Sequence, residues 1–390
     1  GACAAPEGAL RRGRHVLLHA IDDSGGPLGA SSSSSNGLDP QAWCAYYINL
    51  ARRADRRERL FGTLGRASPA LLRQIRRIDA VDGRSLTFDD DALRDVVDEQ
   101  SLDRALHAHR RGAHTIVHDG GHMLHFDNHL TLGGIACAMS HRLALLRVAE
   151  HPTADWGLII EDDVNLVVPR TEEVIARIIE GLPADWDAVF LGYHDTFGAA
   201  HPSALQEGGA AVDARLTAEG LADIRAKPMP EPLFGLFAWV VRKEAAKALV
   251  ENAFPINGQV DWALSRYLVY ERGRAYFVSP GDMVFFSPKS EVAEDSDIQT
   301  MLSASDMYDR YESLEGYFDQ MWGMDAMLEE YVRRHCGDDE DAAARLVQSF
   351  AVDDDDGDLD YDAAWPHADW ALPPCEAPPP DCPPTEWPDP

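Results

Sequence analysis

The chain lacks long apolar runs and has few basic residues. No apolar stretch reaches about 18 residues, the length that marks a helix able to cross a bilayer, so the sequence predicts no transmembrane segment in these residues. Lys and Arg number 35 against 66 Asp and Glu, which gives a net charge of −31. Because nucleic-acid binders and membrane-surface proteins need basic patches, this charge balance argues against both classes.

Cysteine is also scarce, and the six cysteines follow no zinc-binding spacing. Cys375 and Cys382 lie in a proline-rich stretch and can pair with each other, which would fit an oxidising compartment. Free thiols in a cytosolic protein fit the same pattern. The sequence contains no Asn-Xaa-Ser/Thr acceptor, so glycosylation does not decide between the two compartments.

Apolar residues, in contrast, are plentiful enough for a large core. The 390 residues are 45% hydrophobic, which fits one large α/β domain with appendages, or two domains. Composition divides the chain into an N-terminal extension over 1–43, an ordered domain over 44–300, a helical extension over 301–350, and a tail over 351–390. The extension contains the flexible serine run Ser31–Ser35. The acidic, proline-rich tail should not pack a core, and we expect it to be disordered.

The stretch Gly157–Val164 (GLIIEDDV) combines a short apolar run with three consecutive acids, Glu161, Asp162 and Asp163. This pattern predicts a buried strand of a parallel sheet with carboxylates at its carboxyl end, where ligands bind in open α/β sheets. Adjacent carboxylates need a counter-charge, which a divalent metal carrying a diphosphate would supply. A solvated acidic loop is the alternative interpretation.

Other apolar runs are predicted to be strands, and amphipathic runs to be helices. The predicted strands are Ala45–Leu50, Ile75–Val81, Asp187–Gly192, Phe237–Val241, Ala275–Val278 and Met283–Phe286. The predicted helices are Arg52–Leu60, Gly133–His151, Thr171–Glu180 with Thr171 as N-cap, Lys243–Val250 and a helix that begins at Asp261. We expect Leu86–Arg111 and the acidic stretch from Ser296 to about Phe350 to be mostly helical.

Two polar segments suggest further binding sites. The strand Ala45–Leu50 leads into the arginine-rich start of a helix, which is a plausible diphosphate cradle or simply a solvated basic face. Five closely spaced histidines suggest a metal site; they are His114, His118, His122, His125 and His129. Because Gly120-Gly121 interrupts any helix that would align them, we expect surface-loop histidines instead.

Several short motifs occur in the order and spacing of a known family. They are YINLARRADRRERL (Tyr47–Leu60), IDAVDG (Ile78–Gly83), GGIACAMSH (Gly133–His141), IIEDDV (Ile159–Val164), DAVFLG (Asp187–Gly192), WVVRKEAAKAL (Trp239–Leu249) with Val260-Asp261, and SDI (Ser296–Ile298). Together they resemble glycosyltransferase family 25, which includes lipooligosaccharide and procollagen galactosyltransferases, over roughly Cys44 to Gln299. Gly134 and Ala136 depart from the family's usual Glu and Gly, so no function is carried over to them.

The resemblance implies an α/β fold: a GT-A-like, Rossmann-related domain with a mainly parallel mixed sheet flanked by helices. It also implies a UDP-sugar donor and a divalent metal, Mn²⁺ or Mg²⁺. Glu161 and Asp163 form a variant of the Asp-Xaa-Asp motif and are the expected metal ligands, because carboxylate and water oxygens suit both ions.

The resemblance also implies roles for individual residues. Members make β-linkages from α-linked donors, so the reaction inverts and needs a general base on the acceptor hydroxyl. Asp261 is the expected base and Asp195 the alternative, while helix capping would equally explain Asp261. The residues expected to hold the nucleotide are Asn49, Arg56, Asp82 and Asp162.

The expected activity is the transfer of a sugar, galactose being the commonest in the family, from a UDP-sugar to a hydroxyl on a glycan or protein, possible acceptors including collagen-like protein. The alternative is an inactive relative that acts as a glycan- or partner-binding module, which the departures at Gly134 and Ala136 and the acidic tail suggest. The opening motif and the tail cysteines favour the lumen of the secretory pathway over the cytoplasm.

Overall fold

The computed structural model describes residues 43–119, 122–194, 224–287, 296–323, 326–329 and 332–333. The predicted N-terminal extension before residue 43, the tail over 351–390 and the cysteines Cys375 and Cys382 lie outside the described residues, and so does Asp195. The division of the chain into four regions therefore stays a prediction.

Strands and helices alternate along most of the described chain. The strands are β1 (Trp43–Asn49), β2 (Arg76–Asp79), β3 (Ile116–Asp119), β4 (His122–Phe126), β5 (Trp156–Glu161), β6 (Leu166–Val167), β7 (Ala188–His194), β8 (Ala226–Pro228), β9 (Phe234–Arg242), β10 (Ala275–Val278), β11 (Phe285–Phe286) and β12 (Met301–Ser303). The α-helices are α1 (Ala54–Ala67), α2 (Pro69–Gln74), α3 (Glu99–Arg111), α4 (Leu132–Ala149), α5 (Thr171–Glu180), α6 (Lys243–Asn252), α7 (Val260–Arg266), α8 (Ala304–Tyr311) and α9 (Leu314–Trp322).

A seven-stranded sheet organises the domain, with the strand order β2-β1-β5-β9-β7-β10-β8. The strands β2, β1, β5, β7 and β10 run in one direction, while β9 and β8 run antiparallel to their neighbours. The predicted α/β class, with a mainly parallel mixed sheet flanked by helices, is confirmed.

The strand β5 lies at the centre of the structure, as its apolar run predicts, and all its residues except Glu161 are buried. It pairs in parallel with β1 and antiparallel with β9, as the prediction of a mainly parallel mixed sheet allows. Both kinds of pairing bury the same apolar side chains, which is why the run predicts burial without the direction of the neighbour.

The helix α4 packs closely against β5 at Gly157. A Cβ atom at this position would lie 2.4 Å from Cγ2 of Val148 and 3.1 Å from Sγ of Cys44. Only glycine fits such an approach, so this residue sets the distance between helix and strand. The hydroxyl of Thr131 caps the helix by accepting a hydrogen bond from the Gly134 amide at 2.9 Å.

By length and composition, α4 is also the one helix among the described residues that could cross a membrane. This qualifies the expectation drawn from apolar runs alone. Of its residues, 56% are buried inside the domain, and core helices of folded proteins have the same length and composition.

The five histidines lie in and beside a second, three-stranded sheet with the order β12-β3-β4. His118 and His125 are strand residues, and His129 is 3% exposed, so the expectation of surface-loop histidines is wrong. The strand β12 pairs in parallel with β3, and a partner so distant in sequence is not predictable from local patterns. The same strand interrupts the stretch after Ser296 that we expected to be helical.

The capping residues of two helices differ from their predictions, although the helix Thr171–Glu180 has the predicted bounds. The N-cap of α5 is Arg170, in the left-handed region at φ 58°, because the Thr171 hydroxyl instead donates to the carbonyl of Val168 at 2.6 Å. The N-cap of α7 is Gln259, so Asp261 is not a cap. In the stretch Leu86–Arg111, the α-helix covers only Glu99–Arg111.

Candidate functional site

The carboxyl ends of β1 and β5 lie side by side, since Ile48 is in register with Glu161. The next residue of β1, Asn49, therefore faces the acids that end β5. Its Nδ2 donates to Oδ2 of Asp162 at 2.6 Å and to the carbonyl of Arg53 at 3.0 Å. Asn49 is 1% exposed, so this amide ties the first strand to the acidic end of the central strand.

The carboxylate of Asp162 also faces the basic start of α1. The guanidinium of Arg56 donates to its Oδ1 at 3.3 Å. Burial raises the pKa of Asp162, and the hydrogen bond from Asn49 and the charge of Arg56 only partly offset this effect. The structure thus brings together three of the predicted nucleotide-binding residues.

Glu161 pairs with a buried histidine of α4. Nε2 of His141 lies 3.0 Å from Oε1 of Glu161, and the His141 side chain is fully buried. Burial would raise the pKa of Glu161, but the hydrogen bond and the charge of His141 outweigh it and lower the pKa. The motif GGIACAMSH pointed to His141, and its contact with Glu161 shows that this histidine orients the carboxylate.

Asp163 is the least satisfied of the three acids. Its Oδ2 accepts a hydrogen bond from the hydroxyl of Ser287 at 2.7 Å, while its Oδ1 is buried without a hydrogen-bond partner among the described residues. Burial and the neighbouring carboxylate of Glu161 raise the pKa of Asp163 to about 7. An orphaned buried carboxylate oxygen beside a second acid fits a divalent cation, because such an ion prefers oxygen ligands and relieves the repulsion.

Asp82 and Asp297 hold the arginines that precede and begin α1. Nε of Arg52 donates to Asp82 at 2.8 Å, and its Nη2 donates to Asp297 at 2.7 Å. Arg53 donates to the other oxygen of Asp297 at 2.6 Å. Asp297 belongs to the motif SDI, which was the only signal for it in the sequence.

Glycines allow these loops to meet. A Cβ atom at Gly83 would lie 2.8 Å from Cα of Gly133, and a Cβ atom at Gly133 would lie 2.4 Å from the carbonyl oxygen of Asp297. A Cβ atom at Gly134 would meet nothing closer than 3.6 Å, so this departure from the family pattern is not required by close packing.

Asp261, the predicted base, lies at the start of α7 and is held by two backbone amides. Gly235 donates to its Oδ2 at 2.7 Å and Trp262 donates to its Oδ1 at 2.8 Å. Burial raises the pKa of Asp261, and the nearby carboxylate of Glu161 raises it further. The structure therefore places Asp261 near the acidic strand end, whereas Asp195 lies outside the described residues.

A cavity of ≈ 500 Å³ joins most of these groups. The predicted site residues that line it are Asn49, Arg56, Asp82, Glu161 and Asp162. Its lining also includes Arg52, Cys137, His141 and Asp297, which the sequence did not single out as binding residues. Asp163 and Asp261 are not among the lining residues.

Comparison with known proteins gives a family match over part of the chain. Residues 44–186 match the family model of glycosyltransferase family 25, described as an LPS biosynthesis protein. The family resemblance is confirmed for these residues. The predicted class of enzyme, a glycosyltransferase, is confirmed with it, and the matched residues contribute β1, α1, α4 and the acidic end of β5 to the site.

Solved structures give only distant similarities. One is a glycosyltransferase involved in the glycosylation of the major capsid of PBCV-1, with 10% identity and a TM-score of 0.29, covering 66% of this chain and 95% of that chain. Another is mouse xyloside xylosyltransferase 1 in its apo form, with 10% identity and a TM-score of 0.28, covering 60% of this chain and 84% of that chain. At these TM-scores neither similarity bears on the chemistry of this chain. No curated protein matches it.

Proposed function

We propose that this glycosyltransferase moves a sugar, galactose in the simplest case, from a UDP-sugar to a hydroxyl group of a glycan or protein. The reaction would depend on Mn²⁺ or Mg²⁺ and would invert the anomeric centre. The observation that carries the proposal is the meeting of Glu161 and Asp162 with Arg52 and Arg56 at one cavity. A nucleotide diphosphate with its metal needs both signs of charge at one site.

Glu161 and Asp163 would hold the divalent ion. Oδ1 of Asp163, which has no hydrogen-bond partner among the described residues, and the cavity-facing position of Glu161 support these two acids as ligands. The bound ion would supply positive charge to the diphosphate as it departs. His141 keeps Glu161 ionised and fixed in orientation, so the ligand is ready before the donor binds.

The basic start of α1 would bind the diphosphate, and the neighbouring polar groups would bind the nucleoside. Arg52 and Arg56 line the cavity, and arginine forms paired hydrogen bonds with phosphate oxygens. Asp82 lines the same cavity and can accept hydrogen bonds from ribose hydroxyls. Asn49 would act through Asp162, whose carboxylate it already orients.

Asp261 is the proposed general base. Burial raises its pKa, and a carboxylate with a raised pKa accepts a proton more readily near neutral pH. The two backbone amides fix both of its oxygens in place. Asp195 is the alternative base. Replacing each aspartate by Asn shows which one is the base. The variant that lacks the base should lose the limb of the pH–rate profile that reports its ionisation, while the other variant should keep that limb.

A screen of UDP-sugars tests the proposed function. The full chain with Mn²⁺ should release UDP from one UDP-sugar, give a product of the expected mass with an acceptor, and stop when the metal is chelated. A GDP-sugar serves as the matched control donor and should not be used.

The opposite result is also informative. If no UDP-sugar is turned over, and UDP with Mn²⁺ does not raise the melting temperature, the proposal is wrong, because a ligand that binds only the folded state must stabilise it. The chain would then be a glycan- or partner-binding module.

A further inference from the structure

Three ligand atoms of three chemical types meet beside the cavity. The Cys137 sulfur, a His141 ring nitrogen and a Glu161 carboxylate oxygen all lie within 4.8 Å of one another. Among the described residues, this is the group of three such side chains that could hold a metal ion. None of the roles proposed above uses the thiol of Cys137.

The secondary structure produces this arrangement. Cys137 and His141 are four residues apart on α4, so they lie on the same face of the helix. Glu161 is the last residue of β5, and α4 packs against that strand. The three donors therefore belong to two rigid elements of the core, which makes the group a preformed one.

These donor atoms favour a different metal from the Mn²⁺ or Mg²⁺ proposed for Glu161 and Asp163. Thiolate and imidazole suit Zn²⁺ and Co²⁺, whereas carboxylate and water oxygens suit Mg²⁺ and Mn²⁺. With Zn–S of about 2.3 Å and Zn–N of about 2.0–2.1 Å, tetrahedral ligands lie roughly 3.5 Å apart, so the side chains need only small shifts. Three protein ligands leave one position open, and Cys137 and Glu161 both line the cavity, which gives an ion a path of entry.

We propose that Cys137, His141 and Glu161 bind Zn²⁺ or Co²⁺ at a site that overlaps, through Glu161, the Glu161–Asp163 metal site of the proposed function. Since Glu161 belongs to both sites, a zinc ion here withdraws that carboxylate from Mn²⁺ and antagonises Mn²⁺-dependent turnover. The antagonism rests on the proposed function, whereas the binding of zinc does not.

The second nitrogen of His141 limits the affinity. Nδ1 of His141 is buried without a hydrogen-bond partner among the described residues. Metal-ligating histidines usually donate their other N–H to an acceptor, and losing that contact costs roughly 10–100-fold in metal affinity. We therefore expect a site that exchanges its ion and loads reversibly, unlike a structural zinc site.

Titration of the full chain with Co²⁺ tests the site directly. One equivalent of Co²⁺ should produce a thiolate-to-cobalt charge-transfer band in the near ultraviolet, and Zn²⁺ should displace it. The band should vanish in Cys137→Ser and weaken in His141→Gln. Cys44→Ala is the matched control, because Cys44 is buried elsewhere in the core and its loss should leave the band intact.

Each result decides the question. No band in the wild type, or an equal band in Cys137→Ser, overturns the site. Circular dichroism and melting temperature establish that the variants fold; if Cys137→Ser does not, Cys137→Ala and calorimetry of Zn²⁺ binding replace it, with an expected loss of at least about 10-fold in affinity.

UDP binding in the presence of Mn²⁺ is measured in parallel on the wild type. A cobalt band without UDP binding leaves the zinc site standing and removes the proposed UDP-sugar-dependent function. UDP binding without a cobalt band supports that function and removes the zinc site.

Discussion

Two segments of the chain are rich in side chains of the types that bind metals, and the surroundings of the two segments in the structure differ. One is the acidic strand end, Glu161–Asp163, and the other is the histidine segment, residues 114–129. The acidic strand end receives partners from three other elements: Asn49 of β1, Arg56 of α1 and His141 of α4. Two of its side chains, Glu161 and Asp162, line a cavity where a ligand can reach them.

The histidine segment mainly serves packing between the small sheet and the helices next to it, although His114 and His129 also line the cavity. Asp127, 6% exposed, pairs with His129 at 3.1 Å and with Arg104 at 3.1 Å. The guanidinium of Arg104 lies 4.9 Å from the ring centre of Trp322, and His125 packs edge-on against another ring, Phe318. Among the described residues, these histidines form no group of three metal-ligand atoms.

A high density of potential ligand side chains is therefore not enough to form a metal site. The acids follow a buried strand that has a parallel neighbour, so they converge with that neighbour's side chains at one edge of the sheet. The histidines are distributed along and beside strands, where alternate residues point to opposite faces. Position relative to the strand end therefore distinguishes the two segments better than residue type.

The largest loss of activity is expected from replacing Asp163 at the acidic strand end. Asp163→Ala deletes a proposed metal ligand, and we expect Mn²⁺-dependent turnover to fall more than about 100-fold, since even indirect metal contacts are worth 10–100-fold. Initial rates of UDP release measure it. A rate within twofold of the wild type would remove the metal assignment.

Removing Asp127 should affect stability and leave binding intact. Asp127→Ala leaves Arg104 without its buried partner, and breaking a buried ion pair costs about 3 kcal/mol in the free energy of unfolding. Burial raises the pKa of Asp127, but His129 and Arg104 outweigh it and lower the pKa. The stability that Asp127 contributes should therefore be present at neutral pH and be lost as the pH falls through its lowered pKa.

Urea unfolding of Asp127→Ala and the wild type at pH 7 and at low pH gives these values. UDP binding in the presence of Mn²⁺ should be unchanged in the folded variant. Loss of UDP binding without loss of stability would mean that the histidine segment takes part in the site.

A smaller effect of Asp163 is expected in the pH dependence of the free energy of unfolding. In the metal-free chain the pKa of Asp163 is raised to about 7, so the folded state keeps a proton that the unfolded state releases near pH 4. This contribution to stability is complete below about pH 4 and is lost as the pH rises towards 7. Asp163→Asn should flatten that slope in melting temperature, and an unchanged slope would contradict it.

The smallest effect is expected at His118. This side chain is partly exposed on β3, and its Nδ1 has no hydrogen-bond partner among the described residues, so replacing it should change the free energy of unfolding by less than about 0.5 kcal/mol. His118→Gln should therefore match the wild type in urea unfolding and in Mn²⁺ binding by calorimetry. A weakened Mn²⁺ affinity would restore the histidine segment as a metal site.

Much of the large sheet was predictable because its strands are apolar runs bounded by polar residues. The predicted strand Ala275–Val278 has the observed bounds, and Lys243–Val250 differs from α6 by two residues at its end. The helix α3 was predicted too long because the residues before Glu99 include a short 3₁₀ turn, Asp91–Leu93, and Asp98 caps the α-helix. The capping predictions were wrong because the side chains bond elsewhere: the Thr171 hydroxyl donates to the nearby carbonyl of Val168, and Asp261 accepts from Gly235, 26 residues away.

The candidate site was predictable in its residue types and less so in its contacts. Local motifs singled out Asn49, Arg56 and the three acids, and the structure brings them to one place. They did not single out Ser287, whose hydroxyl donates to Asp163 from 124 residues away. A lone serine after a short strand carries no local signal, because its role depends on where the chain returns.

From the sequence alone, a buried strand is predicted to end in three acids, and a basic helix is predicted to follow the first strand. The order of the motifs in the sequence is also that of family 25. These features depend on local periodicity and on the chemistry of neighbouring residues. Which acid each arginine, histidine or amide pairs with is known only from the tertiary structure. Arg53 reaches Asp297 across 244 residues, and the energies that select such a pairing depend on burial and distance, which exist only once the chain has folded.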